Sequence, residues 1–334
     1  MSSYRIGIDL GGTNIKSAIF DADNHLLLER SDPTEASSGP FPVLARIANI
    51  VREMLAQQAI ASEQVECMGM GIPGLLNPAT GMSFFSPNFP GWENIAVVEE
   101  MQRHFPFPIY IDNDVRINLY GEWKFGAGVG RRNLLLVTLG TGLGSGIVVD
   151  GRVLYGQTAS VGEIGHLNMF REGRPCRCGS SGCLGRYVSA VGMVRTFTER
   201  LDQGEPSVVR QWVDGDTSAI TARMISDAYD AGDGLARQVM KETGELFGFG
   251  LGSAINLFNP ELVIIGGGMS AAGERLLAPV RETVALHSLK VPREACEIVP
   301  AKLGGRAGMI GAAAYAAERH SAERRSAEQE QHWD

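Results

Sequence analysis

The sequence predicts an α/β protein built from two related domains, and three observations lead to that prediction. Near the N-terminus, the apolar strand YRIGIDL runs into the glycine-rich turn GGTN and returns as the strand IKSAIF. Further along, NLLLVTL runs into GTGLGSG and returns as IVVDGRVLY, so the same strand–turn–strand pattern occurs twice. A length of 334 residues is enough for two domains, each with its own buried core.

The other predicted elements also alternate between strand and helix. After the first turn, HLLLER predicts a third strand, and VLARIANIVREMLAQQAI (43–60) has the apolar spacing of a helix. CMGMGIPGLL and IYIDND predict two more strands, and VRINLYGEWKFG after them has helical spacing. In the second copy, ELVIIGGG predicts a strand that precedes the helix ERLLAPVRETVAL. The pattern favours a duplicated domain over a short sequence repeat.

The overall composition excludes several classes of protein. A formal net charge of −8 argues against broad binding to the phosphate backbone of nucleic acid, which usually needs a basic face. No apolar run approaches the roughly 20 residues that span a bilayer, and MSSYRIGIDL lacks the layout of a signal peptide. We therefore expect a cytoplasmic protein that binds neither nucleic acid nor membrane. The charged segment from about Glu318 onwards is expected to be frayed or the solvated end of a helix, and no chemistry is assigned to it.

The two glycine-rich turns are the first indication of a ligand site. Without a Cβ, glycine reaches φ > 0 readily and lets backbone N–H groups approach a phosphate. Two such turns, one per domain, predict a nucleotide held in a cleft between the domains; the alternative is that each turn is only a tight hairpin. A Walker A loop is excluded because the sequence contains no Gly-Lys dipeptide. Gly266-x-Gly268-x-x-Ala271 loosely fits a dinucleotide fingerprint, but no acidic residue follows at the ribose position, which disfavours a dehydrogenase.

Asp112-Asn113-Asp114 stands at the end of a predicted strand, directly before a helix. A carboxylate at the carboxyl end of a strand in an α/β fold is well placed to take a proton from a substrate hydroxyl. The alternative interpretation is that a strand-end aspartate only caps the following helix.

Three of the five cysteines, Cys176, Cys178 and Cys183, fall within eight positions, and His166 precedes the first with nine residues between them. Three thiolates and one imidazole form a closed, tetrahedral zinc set of the structural type. Gly179 and Gly182 would allow the tight turns that bring the sulfurs together. The alternative is a loop of free thiols. The other two cysteines lie in apolar runs and are expected in the core.

Several motifs occur together in a fixed order. DLGGTNIK, GIPG, SPNFPGW, IDNDVRINLYGE, TLGTGLGSG, GEIGH followed by CRCGSSGC, and IIGGG stand between residues 4 and 316. In this combination the chain resembles the ROK family, which comprises bacterial sugar kinases and related sugar-responsive repressors. The resemblance implies a two-lobed, actin-like (ribonuclease H-like) ATPase fold with a duplicated βββαβα core and a central cleft. It places a small lobe at 1–115 plus about 305–320, a large lobe at 116–304 with a zinc-binding insertion at 166–183, and a polar tail at 321–334.

The resemblance also assigns roles to residues of this sequence. The phosphates of ATP, with Mg²⁺, would be bound by two loops, comprising Asp9, Gly11, Gly12, Thr13, Asn14 and Lys16 in the first and Gly140, Thr141, Gly142 and Gly144 in the second. The adenosine would lie against Gly267 and Gly268. The sugar would contact Asn88, Asn113, Asp114, Glu163 and His166, with Asp114 as the general base. A structural Zn²⁺ would be bound by His166, Cys176, Cys178 and Cys183, so that the metal orients one sugar contact.

The implied function is ATP-dependent phosphorylation of the primary 6-hydroxyl of a hexose, with glucose first and N-acetylglucosamine, N-acetylmannosamine or allose as alternatives. Gly185 departs from the family pattern, which has a sugar-binding glutamate at this position, and so leaves the choice of sugar open. A repressor is disfavoured because the first phosphate loop begins at residue 9, before any helix-turn-helix, and because both loops are intact. A non-catalytic sugar-sensing protein stays as the alternative of another class. Family members are commonly dimers, so we expect a homodimer.

Overall fold

The computed structural model describes residues 3–86 and 89–330, which divide into two compact units. The first unit contains the described residues up to Gly130, the segment Tyr155–Val161 and the described residues from Lys302 onwards. The second unit contains Arg131–Leu154 and Gly162–Ala301. Each unit has a mixed sheet with helices packed on it, as the alternating sequence pattern predicts.

The first unit begins with the predicted three-strand meander. Its strands and helices up to Gly130 are β1 (Tyr4–Leu10), β2 (Asn14–Asp21), β3 (Leu26–Pro33), α1 (Pro40–Gln57), β4 (Val65–Ile72), β5 (Leu75–Asn77), β6 (Met82–Phe85), β7 (Glu93–Ala96), α2 (Val97–Gln102), β8 (Ile109–Asn113) and α3 (Asp114–Phe125). Among the described residues, the main sheet has the order β3-β2-β1-β4-β8, and β5-β6-β7 form a separate antiparallel sheet.

The second unit repeats this arrangement with more helices. Its elements are β9 (Leu134–Leu139), β10 (Leu143–Val149), β11 (Arg152–Val153), α4 (Gly185–Val188), α5 (Ala190–Asp202), α6 (Val209–Trp212), α7 (Ala222–Asp230), α8 (Gly234–Phe258), β12 (Leu262–Gly266), α9 (Glu274–His287), α10 (Lys290–Glu294) and β13 (Glu297–Pro300). The chain then returns to the first unit as α11 (Ala307–Glu330).

The two main sheets have the same topology. The order β11-β10-β9-β12-β13 matches that of the first unit strand for strand. In each sheet the first three strands are antiparallel, whereas the two strands that follow run parallel to the first strand. The predicted duplication of the domain is therefore confirmed at the level of strand order and direction.

The register of the first sheet brings three strand ends level with one another. Asp9 pairs with Lys16 across β1 and β2, and with Gly71 across β1 and β4. Gly71 in turn pairs with Asp112 across β4 and β8. Because β1, β4 and β8 are parallel, their carboxyl ends share one edge, which is where α/β sheets usually bind ligands.

One face of the first sheet is covered by α1 and the other by α11. Ile8 of β1 and Leu44 of α1 are fully buried in the core on the α1 side. On the other side α11 approaches closely, since a Cβ on Gly69 of β4 would collide with the carbonyl oxygen of Ala312. Gly311 of α11 contacts the backbone of α3 in the same way.

The packing of α11 determines the boundaries of the first unit. Because α3 packs against α11, the first unit extends to Gly130, beyond residue 115, the predicted end of the small lobe. The predicted polar tail from residue 321 coincides with the last turns of α11, which continues to Glu330 and is exposed there. None of the helices in the described part of the chain combines the length and hydropathy needed to cross a membrane.

Candidate functional site

The first glycine turn joins β1 to β2. The N–H of Gly11 donates to the carbonyl oxygen of Asn14 at 3.0 Å, which closes the turn. A Cβ on Gly12 would meet no described atom within 4 Å, so the backbone here faces open space. Neither glycine has φ in the left-handed region, and the expectation that φ > 0 explains them is wrong. At Gly12 the missing side chain instead leaves room for a ligand to approach the backbone, the second of the two reasons for glycine in such loops.

Asp9 lies at the end of β1, opposite Lys16 on β2. The ammonium group of Lys16 donates to the carbonyl oxygen of Gly305 at 3.0 Å. Loss of hydration and repulsion from the Asp114 carboxylate raise the pKa of Asp9 to about 6, against the attraction of Lys16. Its carboxylate lies against Gly308 in the first turn of α11, where a Cβ would collide with it. Two carboxylates and one lysine therefore share this edge of the sheet.

The helix α3 begins directly after β8, and its N-cap is Asn113. The side-chain oxygen of Asn113 accepts from the N–H groups of Val115 at 3.0 Å and Arg116 at 3.3 Å. Its side-chain amide donates to the carbonyl oxygen of Gly74 at 3.1 Å. The alternative interpretation, in which a strand-end aspartate caps the helix, is thus wrong for both aspartates. Asp114 is the first helical residue and is half-buried. Because Asn113 occupies the N-cap position, the carboxylate of Asp114 does not cap the helix.

The second glycine turn joins β9 to β10 and repeats the open backbone of the first. The N–H of Gly140 donates to the carbonyl oxygen of Gly142 at 2.9 Å. A Cβ on either glycine would meet no described atom within 4 Å, and neither has a left-handed φ. Gly144 follows inside β10, paired with Thr138 of β9.

A cavity of about 600 Å³ in the second unit is lined by this turn and by the glycines after β12. Gly140 and Thr141 line it together with Gly268, Met193 and Arg275. The volume is that of an ordinary small-molecule site, with apolar walls and a few polar groups. The structure therefore brings the second glycine turn and Gly268, one of the two predicted adenosine contacts, to one cavity.

The two glycines after β12 differ in their surroundings. Gly267 has φ of +82°, and a Cβ there would collide with the backbone of Leu139. Gly268 has open space where a Cβ would stand and lines the cavity. Gly267 is thus required by backbone packing, whereas Gly268 is the one that leaves room for a ligand.

His166 and the three clustered cysteines come together in the second unit, with their ligand atoms within 4.8 Å of one another. The Sγ of Cys176 lies 3.7 Å from Nδ1 of His166, and the Sγ of Cys178 lies 3.7 Å from that of Cys183. The backbone N–H of Ser180, with help from neighbouring thiols, lowers the pKa of Cys178 to about 7, whereas burial raises the pKa of Cys183 to about 12. Three sulfurs and one ring nitrogen at this spacing fit the tetrahedral donor set of zinc.

The loop that holds the cysteines is shaped by two glycines. Gly179 and Gly182 have φ of +90° and +69°, a region that other residues adopt only at a cost. A Cβ on Gly182 would also collide with the carbonyl oxygen of Phe170. The prediction that these glycines form the tight turns of the cluster is confirmed.

Glu163 and His166 flank a short turn, in which the N–H of His166 donates to the carbonyl oxygen of Glu163 at 3.0 Å. Both side chains are exposed. Gly185, the first residue of α4, lies against this turn, because a Cβ there would stand 3.3 Å from the carbonyl oxygen of Gly165 and 3.5 Å from Cβ of Leu143. The departure from the family pattern thus sits beside two residues predicted to contact the sugar.

Comparison with known proteins decides the family. The sequence profile of the ROK family matches residues 5–319. The chain belongs to the ROK family.

This ROK protein is 34% identical to a protein named glucokinase from Halalkalibacterium halodurans, over 92% of this chain and 93% of the relative. A solved ROK glucokinase from Streptomyces griseus, in complex with glucose and AMPPNP, is 30% identical with a TM-score of 0.79, covering 95% of this chain and all of the other. A ROK transcriptional regulator, a homologue of the Escherichia coli MLC protein, is 29% identical with a TM-score of 0.83, covering 93% of this chain and 77% of the other. The fold is the actin-like ATPase fold of these proteins.

The predicted site residues of this ROK protein fall into one group in each unit. The first unit holds Asp9, the first glycine turn, Lys16, Asn113 and Asp114, and the second unit holds the remaining described ones. Asn88 lies outside the described residues, so its predicted sugar contact stays a prediction. Sequence reasoning missed Arg116, Tyr155 and Glu122, and it gave Asp112 no partner. The carboxylate of Glu122 is fully buried and accepts from backbone N–H groups of Ala127, Lys302 and Leu303.

Proposed function

We propose that this protein is an ATP-dependent kinase that phosphorylates the 6-hydroxyl of glucose. The observation that supports this most directly is the edge of the first sheet, where Asp114 and Asp9 stand beside a glycine turn with an open backbone. Similarity to proteins named glucokinase over more than nine-tenths of the chain favours glucose as the sugar.

In the proposed reaction, Asp114 accepts the proton of the sugar's 6-hydroxyl while that oxygen bonds to the γ-phosphorus of ATP. The bond between the γ-phosphorus and the β,γ-bridging oxygen breaks, and ADP leaves with the electron pair. The N–H groups of the two glycine turns and Lys16 hold the phosphates, and the cavity lined by Gly268 holds the adenosine. Asp9 would hold Mg²⁺, which would supply positive charge to neutralise the phosphates. Alignment and charge neutralisation account for most of the catalysis in such transfers.

The sugar is held by Asn113, Glu163 and His166 in this proposal, together with Asn88. His166 turns Nδ1 toward Cys176, which leaves Nε2 for a sugar hydroxyl. His166 and the three cysteines would hold Zn²⁺, which with four protein ligands would be structural and would fix the orientation of that ring.

A non-catalytic sugar sensor is the second candidate, because the similar regulator has the same fold. The open backbone at Gly12, Gly140 and Gly268 favours the kinase, since a protein that binds only sugar has no need for it. We also propose that the protein is a cytoplasmic homodimer; light scattering on the purified protein tests the dimer.

The decisive experiment is a panel of hexoses and amino sugars with ATP and Mg²⁺, ranked by kcat/KM, for the wild type and for Asp114→Asn. We expect glucose to rank first. We expect the variant to lose about three orders of magnitude in kcat, because the general base is gone, while glucose binding measured by calorimetry persists. Negligible turnover of every sugar by the wild type contradicts the proposed function. Near-normal turnover in the variant removes Asp114 from its role.

A further inference from the structure

A buried polar network surrounds Asp112, two residues before Asp114. Asp112 is fully buried, and its carboxylate accepts three hydrogen bonds. The donors are the N–H of Asn113 at 2.6 Å, Nε of Arg116 at 2.7 Å and the hydroxyl of Tyr155 at 2.8 Å. The proposed reaction assigns no role to this carboxylate or to its two side-chain partners.

Arg116 extends the network to a second part of the chain. Its side chain is buried, and Nη1 donates to the carbonyl oxygen of Ala159 at 2.7 Å. The guanidinium group also lies 5.1 Å from the centre of the Tyr155 ring, within range of a cation–π contact. Tyr155 and Ala159 both belong to the segment Tyr155–Val161, which the chain contributes to the first unit between two stretches of the second.

A need for stability alone does not explain such a network. Burial raises the pKa of Asp112, and the neighbouring Arg116 and Tyr155 oppose that rise. A buried ion pair often stabilises a fold no better than apolar side chains of similar size, because removing the charges from water is costly. What the network adds is direction. Each hydrogen bond fixes a distance and an angle, so the start of α3 and the segment Tyr155–Val161 are held in one relative position.

We propose that Asp112, Arg116 and Tyr155 are positioning residues for the sugar. They act through the backbone of Asn113, which carries Asp114 directly after it, and through the segment Tyr155–Val161, which ends two residues before Glu163. The network thus fixes the start of α3, which carries two of the proposed sugar contacts, and the segment that leads to Glu163. It includes none of the residues that line the nucleotide cavity. The inference rests on the proposed function, since it concerns the same site.

The test compares Tyr155→Phe with a matched control, Tyr110→Phe. Each change removes one tyrosine hydroxyl that donates to a carboxylate, to Asp112 at 2.8 Å in the first case and to Glu323 at 2.7 Å in the second. We expect kcat/KM for glucose to fall about tenfold in Tyr155→Phe, with KM for ATP unchanged, because a buried carboxylate has lost a donor. Tyr110→Phe should lose less thermal stability, because Glu323 is exposed whereas Asp112 is buried, and it should keep both kinetic constants. Equal glucose kinetics in the two variants would overturn the proposal.

Arg116→Lys separates charge from geometry. Lysine keeps the positive charge beside Asp112, but its single ammonium group replaces the planar fork that reaches both Asp112 and Ala159. We expect the variant to reproduce the glucose defect of Tyr155→Phe and to keep KM for ATP. Normal glucose kinetics here would show that charge alone suffices and that the clamp on the segment Tyr155–Val161 has no role.

Amide hydrogen exchange gives a readout that needs no turnover. Peptides from the segment Tyr155–Val161 should exchange faster in Tyr155→Phe than in the wild type, and unchanged in Tyr110→Phe. Unchanged exchange in Tyr155→Phe overturns the positioning role. Failure of the proposed function is a separate result, because it appears as a wild type that phosphorylates no sugar.

Discussion

Asp9 destabilises the fold at neutral pH, and the sign of the effect follows from its pKa. The pKa is about 6 in the folded protein against 3.8 for an ordinary aspartate, so the folded state holds the proton more tightly. Tighter proton binding by Asp9 in the folded state therefore stabilises the fold most below about pH 4. This stabilisation is lost as the pH rises through about 6. This difference in pKa is worth at most about 3 kcal/mol.

We expect Asp9→Asn to raise the melting temperature at about pH 8, by an amount corresponding to about 1–2 kcal/mol, because it removes a poorly hydrated charge beside Asp114. The gain in melting temperature should vanish at about pH 4, and turnover with ATP should be lost at both pH values. Thermal melts between about pH 4 and about pH 8 measure the change in stability. Asp202→Asn, at an exposed position of α5, is the control and should show no such trend. A variant less stable than the wild type at every pH would contradict the argument.

Gly185 can be replaced if the carbonyl group of Gly165 shifts by a few tenths of an ångström. Its φ is not left-handed, and a Cβ would make one tight contact of 3.3 Å and otherwise ordinary ones. We expect Gly185→Glu to fold and to lower KM for glucose about tenfold, because it adds a charged acceptor beside Glu163 and His166. Gly185→Ala supplies the Cβ without the carboxylate and should leave KM for glucose unchanged. Equal values in the two variants would show that this position does not contact the sugar.

Sequence reasoning identified the residues of the site where a signal is local. The cysteine cluster is contained in eight positions, and each glycine turn directly follows an apolar strand. The network of Asp112, Arg116 and Tyr155 was missed because two of its contacts join residues 43 positions apart, and no local pattern records them. The predicted reason for the glycines of the two strand-joining turns was wrong, since a sequence does not distinguish a positive φ from a need for open space.

At the scale of elements, little buried core supports the loop from His166 to Cys183. Cys183 is buried, but Cys178 and His166 are exposed, and the regular structure within the loop is limited to short bridges and turns. We therefore expect a metal bound by these four residues to order the loop, because the binding energy of a structural metal becomes folding energy.

We expect Cys178→Ser to lose the bound zinc and to weaken glucose binding about tenfold, because His166 is no longer held. Nucleotide binding should persist, since no residue of the cluster lines the cavity. Metal analysis and calorimetry with glucose and with AMPPNP measure the three quantities. Cys296→Ser, outside the cluster, should keep zinc and both affinities. A zinc-free variant with unchanged glucose affinity would contradict the prediction that the metal supports glucose binding through His166.

The main strands were predicted because each is a short apolar run bounded by glycine or a charged turn, as in β1, β9 and β12. The small sheet β5-β6-β7 was not predicted, since its strands of three or four residues are too short to show a period of two. The helices α4, α6 and α10 were missed for the same reason, with four or five residues each.

At the scale of the whole molecule, the duplicated sheets place one open glycine turn in each unit. If both turns bind the phosphates of one nucleotide, filling either should be harmful. We expect Gly12→Ala and Gly140→Ala each to raise KM for ATP about tenfold, with unchanged melting temperature. A Cβ at either site meets no described protein atom, so it would obstruct only a bound nucleotide. Gly234→Ala, equally open but at the start of α8, is the control. An effect confined to Gly140→Ala would assign the nucleotide to the second unit alone.

The duplication itself was predictable because it repeats a strong local pattern, whereas the boundaries of the units depend on α11. That helix packs on β1 and β4 through positions where a side chain on the strand would collide, such as Gly69. Such contacts join the two ends of the chain and leave only a scattered signal in the sequence.

The position of α11 also bears on the order in which the protein forms during synthesis. The second unit has its last residue at Ala301, before α11 begins at Ala307. The ribosome thus releases every residue of the second unit before it releases the helix that covers one face of the first sheet. N-terminal domains generally fold first during translation. Here one face of the first sheet stays uncovered until α11 is synthesised, after all residues of the second unit. A stop codon just before residue 307 would leave all residues of the second unit in place and would leave the first sheet without α11 on one face.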